Sequence, residues 1–151
     1  MRFLNRKWAE GEYDEFTTDL YWQVYLRHLE DIAPDTPQWV RALGALSLGK
    51  NFMGRKVSAC SLDELTGTFH LVIEVDTIDG PAFLDIGYEG VDSDSIDEQA
   101  FDKCDFLLTD ELDIAPGEKF EHRILLSPDG EVAIRFSDMN LNLSPAGRDD
   151  E

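Results

Sequence analysis

The sequence predicts an α+β fold: two N-terminal helices packed on an antiparallel meander sheet of five or six strands, with one short helix inserted around residues 95–103. Three observations carry this reading. The apolar period is helical as far as residue 47 and close to two beyond it. Successive apolar runs in the second part are punctuated by hairpin turn signals. No long helical segment separates those runs, so neighbouring strands must pair antiparallel. A chain of 151 residues has the length of one domain. Residues 1–47 form its helical layer, 48–143 its sheet and 144–151 a frayed acidic tail.

Each element has a local reason. In "EFTTDLYWQVYLRHLEDIA" the polar positions Asp19, Gln23, Arg27 and Glu30 make one stripe, and most other positions are apolar. That arc is far wider than the roughly 100° a surface helix buries. The helix is therefore either clasped from several sides or presents Tyr21, Trp22 and Tyr25 to a second copy. In "APDTPQWVRALGAL", Thr36 suits a cap, Pro37 the first helical position, and Trp39, Val40, Leu43 and Leu46 a core face. "NFMGRKVSAC" is the first strand candidate, and "TGTFHLVIEVDTI" places Phe69, Leu71, Ile73 and Val75 on one face. Asp79-Gly80 turns the chain into "AFLDIGYEGV". "CDFLLTDELDI", "KFEHRILLS" and, after the Pro128-Asp129-Gly130 turn, "EVAIRFSDMNLNL" complete the strand set.

Composition bounds the function. An apolar fraction of 42% with 11% aromatic residues supports a real core. The net charge of −19 disfavours nucleic acid and anionic membrane surfaces, both of which need a basic footprint. No apolar run approaches the roughly 18 residues of a membrane span, and the first residues lack a secretory h-region. Cys60 and Cys104 do not form a disulfide framework, so a cytoplasmic setting is expected.

The charge is uneven. Between Asp85 and Glu118 twelve carboxylates face Lys103 alone. The stretch "GVDSDSIDEQAFDKCD" resembles a calcium loop only superficially, because Ile96, Asp97 and Lys103 stand where an acid, a glycine and a bidentate glutamate are required. Ser95 with Glu98 reads instead as a capping box opening a short helix, with Lys103 at its negative end. Capping needs one or two acids, and the excess marks a surface for a basic protein partner. Its candidate residues are Asp92, Asp94, Asp97, Glu98, Asp102, Asp105, Asp110, Glu111 and Asp113. His28, His70 and His122 lack the close ligand spacing of zinc sites, and no nucleophile elbow or phosphate loop occurs. No metal, cofactor or catalytic residue is expected.

The N-terminal block, "RFLNRKWAEGEY" followed by "YLRHLEDIAPDTPQWVRALGALSL", is similar to a group of uncharacterised bacterial proteins. The resemblance covers about the first third of the chain. It implies a helix, a proline-bounded link and a second helix leading into a sheet, in a bacterial cytoplasmic setting. In that group a His-Asp pair often follows the second helix; here Gly49 and Lys50 follow Leu48.

Two functions remain open, and a third, a self-associating structural protein with Tyr21, Trp22 and Tyr25 buried in a dimer, is compatible with either. One is a non-catalytic acidic interaction protein, of the kind that neutralises a basic partner as immunity proteins and antitoxins do. The other is a small-ligand binder or enzyme with a pocket between helices and sheet, for which His70, His122, Trp22 and Tyr25 are the residues to inspect. The chain is expected as a monomer or homodimer.

Overall fold

A computed structural model describes residues 1–145. It is α+β, with four α-helices and seven strands: α1 Arg6–Ala9, α2 Glu15–Ile32, α3 Gln38–Leu48, β1 Val57–Asp63, β2 Thr68–Thr77, β3 Gly80–Glu89, α4 Glu98–Lys103, β4 Phe106–Ala115, β5 Lys119–Ser127, β6 Glu131–Phe136 and β7 Asp138–Pro145. The expected single meander is instead two antiparallel sheets, ordered β1-β2-β3-β7 and β4-β5-β6. The last expected strand divides at Ser137, and its second half leaves the three-stranded sheet to pair with β3. Residues 144 and 145, expected in a frayed tail, belong to β7; the rest of that tail, 146–151, lies outside the described residues.

Period-two patterning decides which faces meet. Phe69, Leu71 and Ile73 of β2 and Leu84, Ile86 and Tyr88 of β3 point inward, towards Ile124 and Leu126 of β5 and Val132, Ile134 and Phe136 of β6. Tyr88 meets Phe136 edge-on at 5.2 Å between ring centroids. Each fully buried side chain of this size contributes about 1.5–3 kcal/mol. Two corners tie the sheets together. At one, Gly54 and Arg55 bond to Leu107 before the chain enters β1. At the other, Asp92 N–H bonds to Arg135 O, and Ser137 N–H to Glu89 O.

The caps differ in detail from expectation. Asp14 caps α2 through Thr17 N–H, and Asp97, not Ser95, caps α4 through Ala100 N–H. Glu98 is thereby free to bond Leu62 N–H on β1. Thr36 bonds back to Ala33 O rather than capping α3. Helices α2 and α3 lie against β4, and α3 also against β7, while α4 lies against β1 and the 3₁₀ turn Ser93–Ser95 against β6. The helical layer thus occupies one flank of the stacked sheets and the acidic segment the other. No helix among the described residues is long and apolar enough to cross a membrane.

Candidate functional site

Strand phase sorts the acids of β4. Beyond the bulge between Leu107 and Thr109, Asp110 and Leu112 face the core, while Glu111 and Asp113 face the other side. All three acids are buried, which removes Asp110, Glu111 and Asp113 from the expected partner surface. Glu111 is 0% exposed and fully satisfied. Its oxygens accept from Arg2 N–H (2.6 Å), Phe3 N–H (3.0 Å), Leu4 N–H (2.9 Å) and Arg123 Nε (2.7 Å). Arg123, directly opposite on β5, also donates to Asp113 (2.8 Å) and Glu121 (2.5 Å). Burial works against the charge of Arg123, but these carboxylates outweigh it and raise its pKa. His28 Nε2 stands 2.9 Å from Asp113 Oδ1 without hydrogen-bond alignment. This is a structural ion cluster, sealed by the N-terminal segment.

The core face holds a second buried polar chain. Tyr88 Oη lies 2.7 Å from His122 Nδ1, and His122 Nε2 lies 2.7 Å from Asp110 Oδ2. Burial raises Asp110 above the ordinary carboxylate range, opposed by its bond with His122. Beside it, Tyr25 Oη accepts from Leu112 N–H (2.8 Å) and shares a 2.7 Å bond with Ser47 Oγ. These groups satisfy each other inside a packed core, and none of them lines an open cleft.

The remaining acids stay outside. Asp92, Asp94 and Asp97, with Glu121, Glu131 and Arg135, line an open cleft of about 720 Å³ that Val91, Val132 and Ala133 also border. Five carboxylates there face one guanidinium. Asp92 is paired with Lys119 at 2.6 Å, Glu121 with Arg123 and Arg135, and Glu131 with the Met1 amino group at 2.7 Å. Among the described residues Asp94, Asp97, Asp102 and Asp105 form no ion pair, and all four are exposed. Glu98 and Asp102 sit on α4 around the corner from the cleft, beside Cys60. Sequence reasoning missed Glu121, Glu131 and Arg135; alternation along β5 and β6 was the available signal, since these positions take the phase opposite to the core.

The aromatic face of α2 packs partly within the chain, with Tyr21 and Trp22 left half-buried. Tyr25 is fully buried and so is withdrawn from the expected self-association face. Trp22 stacks on Trp8 at 5.6 Å, and Tyr21 meets Tyr13 at 5.0 Å. The apolar side chains that α2 leaves exposed are Phe16, Leu20 and Val24. His70 lies on the outer face of the four-stranded sheet, bonded through Nδ1 to Asp85 at 2.8 Å. Between the helices and Leu112 lies a pocket of about 230 Å³, lined mainly by Leu29, Ile32, Gly44 and Leu48. It includes none of His70, His122, Trp22 or Tyr25.

Cys60 and Cys104 are free thiols. Burial, then Asp102, pushes the Cys60 thiol up to about 11, and burial raises Cys104. Both are thereby held in the weakly nucleophilic thiol form. Among the described residues no three His, Cys, Asp or Glu side chains are gathered to hold a metal ion. No family model, curated protein or solved structure matches the chain.

Proposed function

We propose that this is a non-catalytic interaction protein whose acidic flank docks a basic protein partner, as an immunity- or antitoxin-like neutraliser does. The observation that supports this most is the open cleft beside residues 91–97, where Asp94 and Asp97 are exposed and form no ion pair among the described residues. Ungathered, these charges would cost nothing; gathered, they repel one another until an opposite charge arrives. Such a surface raises the encounter rate with a basic partner above the neutral value of about 10⁵–10⁶ M⁻¹s⁻¹. The pocket between the helices and sheet favours the alternative, a small-ligand site, less, because at about 230 Å³ it is smaller than the roughly 300 Å³ of ordinary ligand sites and its lining is mainly apolar.

The test uses the full chain, immobilised, with basic proteins from the native cell applied at low salt. Captured protein is expected to elute between about 0.02 M and 0.5 M salt, where the screening length shortens from beyond 20 Å to below 5 Å. A triple variant, Asp92→Asn with Asp94→Asn and Asp97→Asn, is expected to retain about tenfold less. A partner held equally at both salt concentrations, or equally by both proteins, contradicts the reading.

A further inference from the structure

An open β-edge is a binding surface in its own right, because its N–H and C=O groups are preset to pair with one more strand. Two edge strands of this fold are engaged by other parts of the chain, β4 at several points and β1 at one. The β4 edge is occupied by Tyr25 Oη on Leu112 N–H, by Ser47 Oγ on Asp110 O and by residues 54 and 55 on Leu107. The β1 edge has Glu98 on Leu62 N–H. Strand β7 lies against α3 and ends at Pro145, which has no N–H to offer.

Strand β6 differs. Arg135 directs its main chain away from β5: its C=O takes Asp92 N–H at 3.0 Å and its N–H reaches Ser95 Oγ at 3.2 Å. Main-chain direction alternates along an antiparallel strand, so Ala133 and Glu131 direct theirs the same way. There the loop no longer follows. It diverges, and the acidic cleft opens between the loop and these two residues. Asp92 and the 3₁₀ turn that follows it therefore occupy this edge at Arg135 alone, and among the described residues no main-chain bond continues along it to Ala133 and Glu131.

We infer that the vacant edge at Glu131 and Ala133 is completed by an extended cationic segment of the partner, added as a fourth strand to the three-stranded sheet. This rests on the acidic docking surface proposed above and specifies how it is used. Charge complementarity selects the occupant. Side chains opposite Glu131 and Ala133 share the cleft face; Glu121 and Glu131 there are already paired, and the acids left to meet the segment are Asp94 and Asp97 across the cleft, so every second residue of the segment is lysine or arginine. The residue between them faces Val91 and Val132 and is apolar. The recognised pattern is basic–apolar–basic in extended conformation.

The experiment titrates the intact protein with an acetylated, amidated peptide of alternating lysine and valine. Two analogues carry backbone N-methyl groups, one on the lysine amides and one on the valine amides. All three peptides carry the same charge. Edge addition requires one set of amides and not the other, so methylating the required set is expected to weaken binding by about tenfold or more while methylating the other set leaves it within about twofold. The amide resonances of Glu131 and Ala133 are expected to shift downfield with the unmodified peptide. Equal affinity for all three peptides, with binding lost at high salt, overturns edge addition and leaves electrostatic docking standing. Failure of all three to bind at low salt overturns both.

Discussion

Glu111 and Asp94 are both acids in the same carboxylate-rich stretch, yet the fold gives them opposite work. Glu111 balances Arg123 and three main-chain N–H groups inside the protein. Removing one partner from such a buried set costs about 3–5 kcal/mol, a large share of the roughly 5–15 kcal/mol that holds a domain together. Glu111→Ala is therefore expected to lower the denaturant midpoint sharply, whereas Asp94→Asn stays within about 0.5 kcal/mol of the parent; equal midpoints would contradict the assignment. The same cluster sets the acid limit. Burial alone would raise Asp113 and Glu121, but hydrogen bonds from Arg123 to the first, and from Arg135 and Arg123 to the second, hold both below the ordinary carboxylate range. Carboxyls depressed by folding stabilise above their unfolded value of about 4, and that contribution disappears as pH falls through the folded value. Asp110, raised by burial, has the opposite sign: its contribution is present below the unfolded value and is lost as pH rises through the raised one. Thermal stability is expected to fall below about pH 4, and Glu121→Gln to flatten that fall; an unchanged slope would count against the cluster. Only strand phase, together with Arg123 across the hairpin, separates the buried acids from the exposed ones in the letters. Residue type alone made all nine look alike.

Among the elements, the turns were the most legible part. Asp79-Gly80 and Pro128-Asp129-Gly130 fall at the ends of observed hairpins, because few residues other than glycine fill the positive φ found at Gly80 and Gly130. The division at Ser137 was harder to see, though its signal exists. The apolar phase runs through Val132, Ile134 and Phe136, then slips by one to Met139, Leu141 and Leu143. Such a slip turns a continuing strand's core face outward, so the chain must bend and join the other sheet. Gly90 makes that corner possible: its φ is +64° and a Cβ there would overlap Ser137 Oγ. Gly90→Ala is expected to lower the melting temperature more than Gly117→Ala, whose φ is +78° but which has open space around it. The Gly117 change carries only the backbone penalty of about 1–2 kcal/mol; equal losses would deny the corner its role. Helix α2 taught a different lesson. Its wide apolar arc was visible, but nothing local revealed that the short α1 and the N-terminal residues would cover Tyr21 and Trp22 while Phe16 stayed 77% exposed. That outcome is set by tertiary packing.

At the scale of the whole molecule, the two flanks divide the labour. The helices close the side formed by β4 and β7, and the acidic segment runs along the side formed by β1 and β6. The concentration of negative charge was readable from the sequence, and so was its place in the second part of the chain. Its shape was not, because Glu121, Glu131 and Arg135 reach the cleft only through the pairing of β5 with β6. The most direct test of the account is residue-resolved NMR of the intact protein titrated with an unmodified lysine–valine peptide at low and high salt. The expected result is shifts concentrated at residues 91–97 and 131–135 that fade as salt rises. Shifts centred instead on the acids of the β2–β3 hairpin, Glu74, Asp76 and Asp79, or shifts indifferent to salt, would contradict it.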